Sequence, residues 1–323
     1  MLNICGSTVY QRKKEAQRML NIVGKRKIIF TISIILMVIS AASLIFQGFN
    51  LDTDFAGGMA VTYALKDKFE VKDVEAVVSE ALGTKQKASS VQASNGGKEV
   101  IIKFGYENHL KTDEERANFA DEKISAITKA LSDKYTEATL KNKDVVSPST
   151  GKELARSAVW MSALAAIAML VYITLRFEFV SAVVSVVTLL QTILILCGIY
   201  SIARVAIDTN FIAAILTILG YCINDTIVVL DRIRENTRHA KKQTYAEIAN
   251  ASINQTIARS INTSITTLLT IGMVYILGVT SIKVFALPII IGILIGTYSS
   301  ICIAAPLWAT WRDGAVNAKK NAK

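Results

Sequence analysis

Six long apolar runs constrain this chain more than any other feature. They begin near Ile28, Ser157, Phe179, Phe211, Ile261 and Val284. Each extends for about 19–25 residues, enough to cross a hydrocarbon core of roughly 30 Å at 1.5 Å per helical residue. A backbone surrounded by lipid must satisfy its own polar groups, so each run is expected to be an α-helix. The expected spans are residues 28–46, 157–176, 179–203, 210–230, 260–279 and 284–308. The overall apolar content of 52% would decide little alone, because soluble domains come close to it.

Basic residues set the expected orientation. Arg12, Lys13, Lys14, Arg18, Lys25, Arg26 and Lys27 precede the first run, against Glu15 alone. Arg232, Arg234, Arg238, Lys241 and Lys242 follow the fourth run, and Arg312, Lys319, Lys320 and Lys323 follow the sixth. The loops on the other side carry little more than Arg204 and Lys283. Lys and Arg collect on the cytoplasmic side, so residues 1–27 and 311–323 are expected to be inner tails. Residues 47–153 would then be extracytoplasmic, and residues 154–310 a five-helix bundle. Between 52 and 153 there are 15 Lys/Arg and 18 Asp/Glu, a net of −3, so with +10 overall the rest of the chain carries +13. This basic excess lies beside the spans. It fits positive-inside topology and contact with anionic membrane lipids, and no nucleic-acid partner is expected. The first run is longer than a signal-peptide core and lacks a small-x-small cleavage site, so it reads as an uncleaved anchor. None of the four cysteines falls in the outer segment, which rules out a disulfide framework there.

The outer segment has the pattern of a small α+β domain. Met59, Val61, Tyr63 and Leu65 alternate with smaller or polar residues, a strand period. Val71, Val74, Val78 and Leu82 follow helical spacing. Val91 and residues 100–104 read as strands, with Asn95, Gly96 and Gly97 as the turn. Ala120, Ile124, Ile127, Leu131 and Tyr135 mark one face of a second helix, and a last strand is expected near residues 145–147. The order β-α-β-β-α-β predicts a split βαβ, ferredoxin-like sandwich. The domain shows no His/Cys cluster, phosphate-cradling loop or catalytic dyad, so neither an enzymatic site nor a cofactor is expected. Its histidine, His109, reads as a surface residue. Asp54, Phe55, Gly57 and Gly58 sit directly after the first span. They read as a turn into the first strand, with a contact point for a partner subunit as the functional alternative.

Residues 220–236, GYCINDTIVVLDRIREN, hold the candidate site. Asp225 lies about 14 residues beyond Phe211, roughly 21 Å along a helix. A carboxylate at that depth costs at least roughly 2.5–3.5 kcal/mol, so it is expected to handle a proton, an ion or a polar partner. Tyr221, Asn224, Asp225 and Thr226 form a polar patch; Gly220, Asp231, Arg232 and Arg234 read as structural or partner-contact positions of the motif, the last three at a solvated helix end. On the next helix Arg259, Asn262, Thr263, Thr266 and Thr267 recur at helical spacing. Their hydroxyls could bond within their own helix or join helices. Arg259 is the expected partner of Asp225: burial raises a carboxyl pKa, a nearby guanidinium lowers it, and movement of the arginine would capture and release a proton. Gly292 and Gly296 form a close-packing pair, Pro288 is expected to kink the last span, and Gln191 reads as glue between helices.

These motifs resemble those of the SecF family, membrane subunits of the bacterial Sec protein-export system. Residues 220–236 are similar to that family's GYxxNDTIVVxDRIREN segment, and residues 259–269 to its RTxxTSxTTLL segment. DFAGG at 54–58 resembles DFTGG, and SPSTGKEL at 147–154 resembles GPxVGxEL. The likeness runs from about Asn21 to Trp311. Ala56, Ser147 and Val279 depart from the family pattern at turns. The resemblance implies an RND-type half of six helices with an extracytoplasmic ferredoxin-like domain in the bacterial inner membrane. It implies SecD as partner, the SecYEG channel, YajC, and an exported unfolded polypeptide as cargo. It also implies that the proton-motive force drives translocation through Asp225, with Asn224, Arg259 and Thr263 around it. Two other readings stay open: half of an RND-type exporter of lipids or small molecules, and a passive scaffold. A scaffold has no need of Asp225.

Overall fold

The computed structural model describes residues 20–66, 69–83, 90–106, 110, 112–135, 138–240 and 243–321. His109, the basic residues from Arg12 to Arg18, Lys241, Lys242 and Lys323 lie outside them.

The chain enters the apolar layer through helix α1, Arg26–Phe46. A four-residue helix α2, Thr53–Ala56, turns it into the outer domain. There β1 (Gly58–Ala64), α3 (Val71–Leu82), β2 (Ser90–Ser94), β3 (Glu99–Gly105), α4 (Asp113–Lys134) and β4 (Thr139–Val146) follow in order. The sheet order is β2-β3-β1-β4 and each pairing is antiparallel, as expected of the split βαβ pattern. Val61 sits opposite Ile102. Met59, Val61, Tyr63, Val100, Ile102 and Phe104 are buried against Val74, Val78 and Leu82 of α3 and Ile124, Ile127 and Leu131 of α4. The Tyr63 hydroxyl in that core is satisfied, 2.8 Å from Thr128 Oγ1. Strand β4 starts well before the expected 145–147. It is exposed along nearly its whole length, so no inside–outside alternation marks it in the sequence.

Five long helices follow: α5 (Pro148–Arg176), α6 (Phe179–Ala203), α7 (Thr209–His239), α8 (Tyr245–Leu277) and α9 (Thr280–Ser299). The last leads through a π-helical segment, Ser300–Ala304, into α10, Ala305–Asn321. Among the described residues, six stretches are long and apolar enough to cross a membrane. Caps set several helix starts: Asp208 accepts the Phe211 amide at 3.1 Å, and Thr244 with Glu247 forms a capping box. Helices α7 and α8 both continue past their apolar stretches into a shared polar hairpin. Asp231, Arg232 and Arg234 therefore lie inside α7, not at its end. The helix assignment runs through Pro288 without a break, and the irregular turn comes later, at Ser300.

Helix α9 packs against α6, α7 and α8, while α1 seats on α6. Missing side chains allow these approaches. A Cβ on Gly198 would lie 2.2 Å from that of Ser40, and one on Gly292 would lie 2.3 Å from Ile218 Cδ1. A Cβ on Gly296 would lie 2.1 Å from Cys222 Sγ. Gly292 and Gly296 are thus the close-packing pair expected of them, and their partner is α7.

Candidate proton site between the transmembrane helices

The contact between α7 and α9 positions the site. Cys222 lies over Gly296, and one turn further along each helix Asp225 meets Ser300. Asp225 is 6% exposed and Ser300 fully buried. The Ser300 hydroxyl donates to Asp225 Oδ2 and also lies 3.2 Å from the Thr297 carbonyl oxygen. Ser300 opens the π-helical segment, where the backbone ladder shifts by one residue; such segments recur at functional sites. A short polar chain continues into α8: Thr297 Oγ1 is 2.6 Å from Ser264 Oγ, which also accepts the Tyr221 hydroxyl at 3.3 Å.

Arg259 does not meet Asp225. The pairs Arg232–Gln255, at 2.6 Å, and Tyr221–Ser264 set the α7–α8 register. On that register Arg259 reaches the membrane level of Asp225, but its side chain is exposed on the outer side of α8. Among the described residues no ion pair or hydrogen bond joins the two. Arg259 instead borders an open groove of about 460 Å³ with Asp231, Arg232 and Glu235. The expected polar patch also divides. Successive helical residues are about 100° apart, so Asn224 is exposed while Asp225 and Thr226 are buried. Gly220 faces outward with nothing within 4 Å of a built Cβ. Thr263 bonds the Arg259 and Ser260 carbonyls of its own helix at 3.0 Å each. Gln191 is buried, and its Nε2 has no partner among the described residues.

The charged end of the motif ties helices together. Arg232 also pairs with Glu235 at 2.6 Å. Arg234 reaches the Arg176 carbonyl at 3.4 Å and lies over the Phe177 ring, at the turn between α5 and α6.

The outer motif is an internal joint. Asp54 accepts the Thr209 amide at 3.2 Å and hydroxyl at 2.9 Å, at the start of α7. Lys103, from β3, pairs with Asp52 at 2.8 Å and Asp54 at 3.3 Å. Burial works to raise the Asp54 pKa, but the Lys103 charge and the Thr209 bonds outweigh it and leave it lowered. Burial likewise works against the Lys103 ammonium. Asp52, Asp54 and Asp208 more than offset that effect, so its pKa is raised. Gly57 and Gly58 hold φ of 81° and 155°, and Phe55 is buried. Gly151 of α5 packs directly on the Phe55 carbonyl. DFAGG and SPSTGKEL, distant in sequence, therefore meet face to face.

Sequence reasoning missed Ser300, because a serine within a span is ordinary. A usable signal was its spacing: Ser300 follows Gly296 by one turn, as Asp225 follows Cys222. Among the described residues no group of His, Cys, Asp or Glu is placed to hold a metal ion.

Comparison with known proteins places this arrangement. The family model for protein export membrane protein SecD/SecF, C-terminal, matches residues 126–314. The protein translocase subunit SecF of Sebaldella termitidis is 36% identical over 292 residues, which cover 89% of this chain and 90% of that one. SecF of Dictyoglomus turgidum is 37% identical over 298 residues, covering 91% and 98%. The crystal structure of SecDF from Thermus thermophilus, a translocon-associated membrane protein, superposes with a TM-score of 0.72 at 32% identity. It covers 91% of this chain and 39% of its own. Because the family model spans more than half of the chain and relatives match nearly all of it, this chain belongs to the SecD/SecF family, and its role lies in Sec protein export.

Proposed function

We propose that this chain is the SecF-type half of a proton-driven translocase in a bacterial cytoplasmic membrane, with both tails inside and Asp225 as the proton carrier. One observation carries the proposal: a buried carboxylate stands inside an apolar helix bundle, with a serine hydroxyl as its described partner. A structural carboxylate at that depth would be expected to hold a cation, and the arginine at its level turns away. The work it drives is transport and not covalent catalysis, and the relatives are named as translocase subunits.

SecD is the natural second half. Relatives in Bacillus subtilis and Thermus thermophilus are single chains named SecDF, of which this chain matches 38%. Arg259 and Asn262 on α8 and Asn224 on α7 are exposed in the apolar layer, and their side chains make no hydrogen bond or ion pair among the described residues. Bare polar groups are costly in lipid, so a partner helix bundle would cover them. Arg259, with Thr263 beside it, would then act on the carboxylate in another state of the assembled pair. The assembly would work beside the SecYEG channel, with YajC as an accessory, on an unfolded exported polypeptide. The joint at Asp54 would transmit bundle movement to the outer domain.

The test is export into inverted vesicles with and without a proton-motive force. Asp225→Asn should lose the proton-driven increment while assembling normally, and Arg259→Ala should impair it in the same way. Full stimulation in the Asp225→Asn variant overturns the proposal. A small-molecule efflux defect with normal export would identify an RND-type exporter instead.

A further inference from the structure

We infer that Ser300 is the positioning residue of the proton site, reversing its hydrogen bond as Asp225 gains or loses its proton. This rests on Asp225 being the proton carrier. The Ser300 hydroxyl holds one proton and faces two acceptors, the Asp225 carboxyl and the Thr297 carbonyl. When the carboxyl is ionised, Ser300 donates to it in a charge-assisted bond. The Thr297 carbonyl then keeps the backbone amide of Ser300. When Asp225 takes a proton from water, its own O–H donates to Ser300 Oγ, and the serine proton turns to the Thr297 carbonyl. Release of that proton to water reverses both bonds. In each charge state Asp225 Oδ2, the Ser300 hydroxyl and the Thr297 carbonyl therefore keep a hydrogen bond at this buried site, so the carboxyl can change charge without leaving those atoms unpaired.

The surroundings leave this role to Ser300. Titratable groups on the packed helices include Tyr221 and Cys222 on α7, Arg259 on α8, Tyr298 and Cys302 on the α9 side, and Cys197 on α6; the Tyr221 hydroxyl is taken up by Ser264. Arg259 is exposed, and Tyr298 is 3.0 Å from Ser33 Oγ on α1. Among the described residues, none of them forms an ion pair or hydrogen bond with Asp225. The reversal also changes the load on Thr297, whose own hydroxyl joins Ser264 of α8. Protonation at α7 thereby touches the helix that carries Arg259.

The experiment uses the full chain co-expressed with SecD in membrane vesicles. A hydrophobic carbodiimide, which reacts with protonated carboxyls, is applied across a pH series, and modification of Asp225 is read by mass spectrometry. In the parent protein, labelling should fall as pH rises. In Ser300→Ala the ionised form loses its donor, so half-labelling should move toward alkaline pH by about one unit. Proton-driven export should shift with it. Ser300→Thr keeps a hydroxyl and should restore the parental curve. A Ser300→Ala curve that coincides with the parent's overturns the inference while leaving Asp225 as the carrier. So does a Ser300→Thr curve that follows Ser300→Ala. Labelling of the parent that does not vary with pH overturns both.

Discussion

At the residue scale, a missing Cβ decides whether the outer domain can seat on the bundle. A Cβ on Gly151 would come within 2.4 Å of the Phe55 carbonyl oxygen. That atom belongs to the backbone and cannot rotate away. Gly151→Ala should therefore destabilise the joint by about 1–3 kcal/mol. Gly220→Ala, on an exposed helix face with open space, should be neutral or slightly stabilising. Thermal unfolding of the detergent-solubilised chain tests both, and equal midpoints for the two variants would contradict the packing argument. Some residue roles were legible in the sequence. Asp225 stood out because an ionisable side chain is costly in an apolar run, and Gly57 and Gly58 marked a turn. The contacts were not legible. Asp54 and Thr209 are 155 positions apart, and no local pattern relates them. Ser300 stood out only by its spacing after Gly296, because its importance comes from what faces it.

At the element scale, periodicity identified the helices, but only their apolar parts. Residues 231–239 and 245–259 are helical because α7 and α8 continue as a polar hairpin, tied by Arg232–Gln255 and Asn236–Ser252. A window that scores hydrophobicity stops where the lipid stops. The π-helical turn was equally hidden, since its residues are as apolar as any helix. It carries one residue more than an α-helical turn would need. That extra residue sets where α10 faces, so inserting one alanine after Ala305, where the helix is regular again, should rotate everything beyond it by about 100°. Trp308 would then leave its edge-on contact with Tyr245, at 5.7 Å between ring centroids, and Arg312 would leave Glu178. The loss should resemble removal of a large core side chain, roughly 3–5 kcal/mol, seen as a lower thermal midpoint. An unchanged midpoint would mean that the facing of α10 has no packing role.

At the scale of the whole molecule, α6, α7 and α9 form the interior, whereas α1, α5 and α8 present most of their surface outward. For α1 and α5 that surface is apolar and suits lipid. The outer side of α8 carries Arg259, Asn262, Thr263, Thr266 and Thr270, which does not suit it. The threonines satisfy themselves on their own helix, as Thr266 does on the Thr263 carbonyl at 2.9 Å; the arginine and asparagine do not. Thr266→Cys should react with a membrane-permeant maleimide in the chain alone and become protected when SecD is co-expressed. Equal reactivity in both would place the partner elsewhere. The sequence by itself determined the six apolar helices, the inserted α+β domain and the costly carboxylate within a span, because hydrophobic periodicity and desolvation cost act locally along a chain. Only the tertiary structure decided that Asp225 turns to Ser300 and not to Arg259. That choice depends on the angular setting of α7 and α8 against α9, which is fixed by side-chain packing at Gly292 and Gly296 and leaves no periodic trace in the sequence.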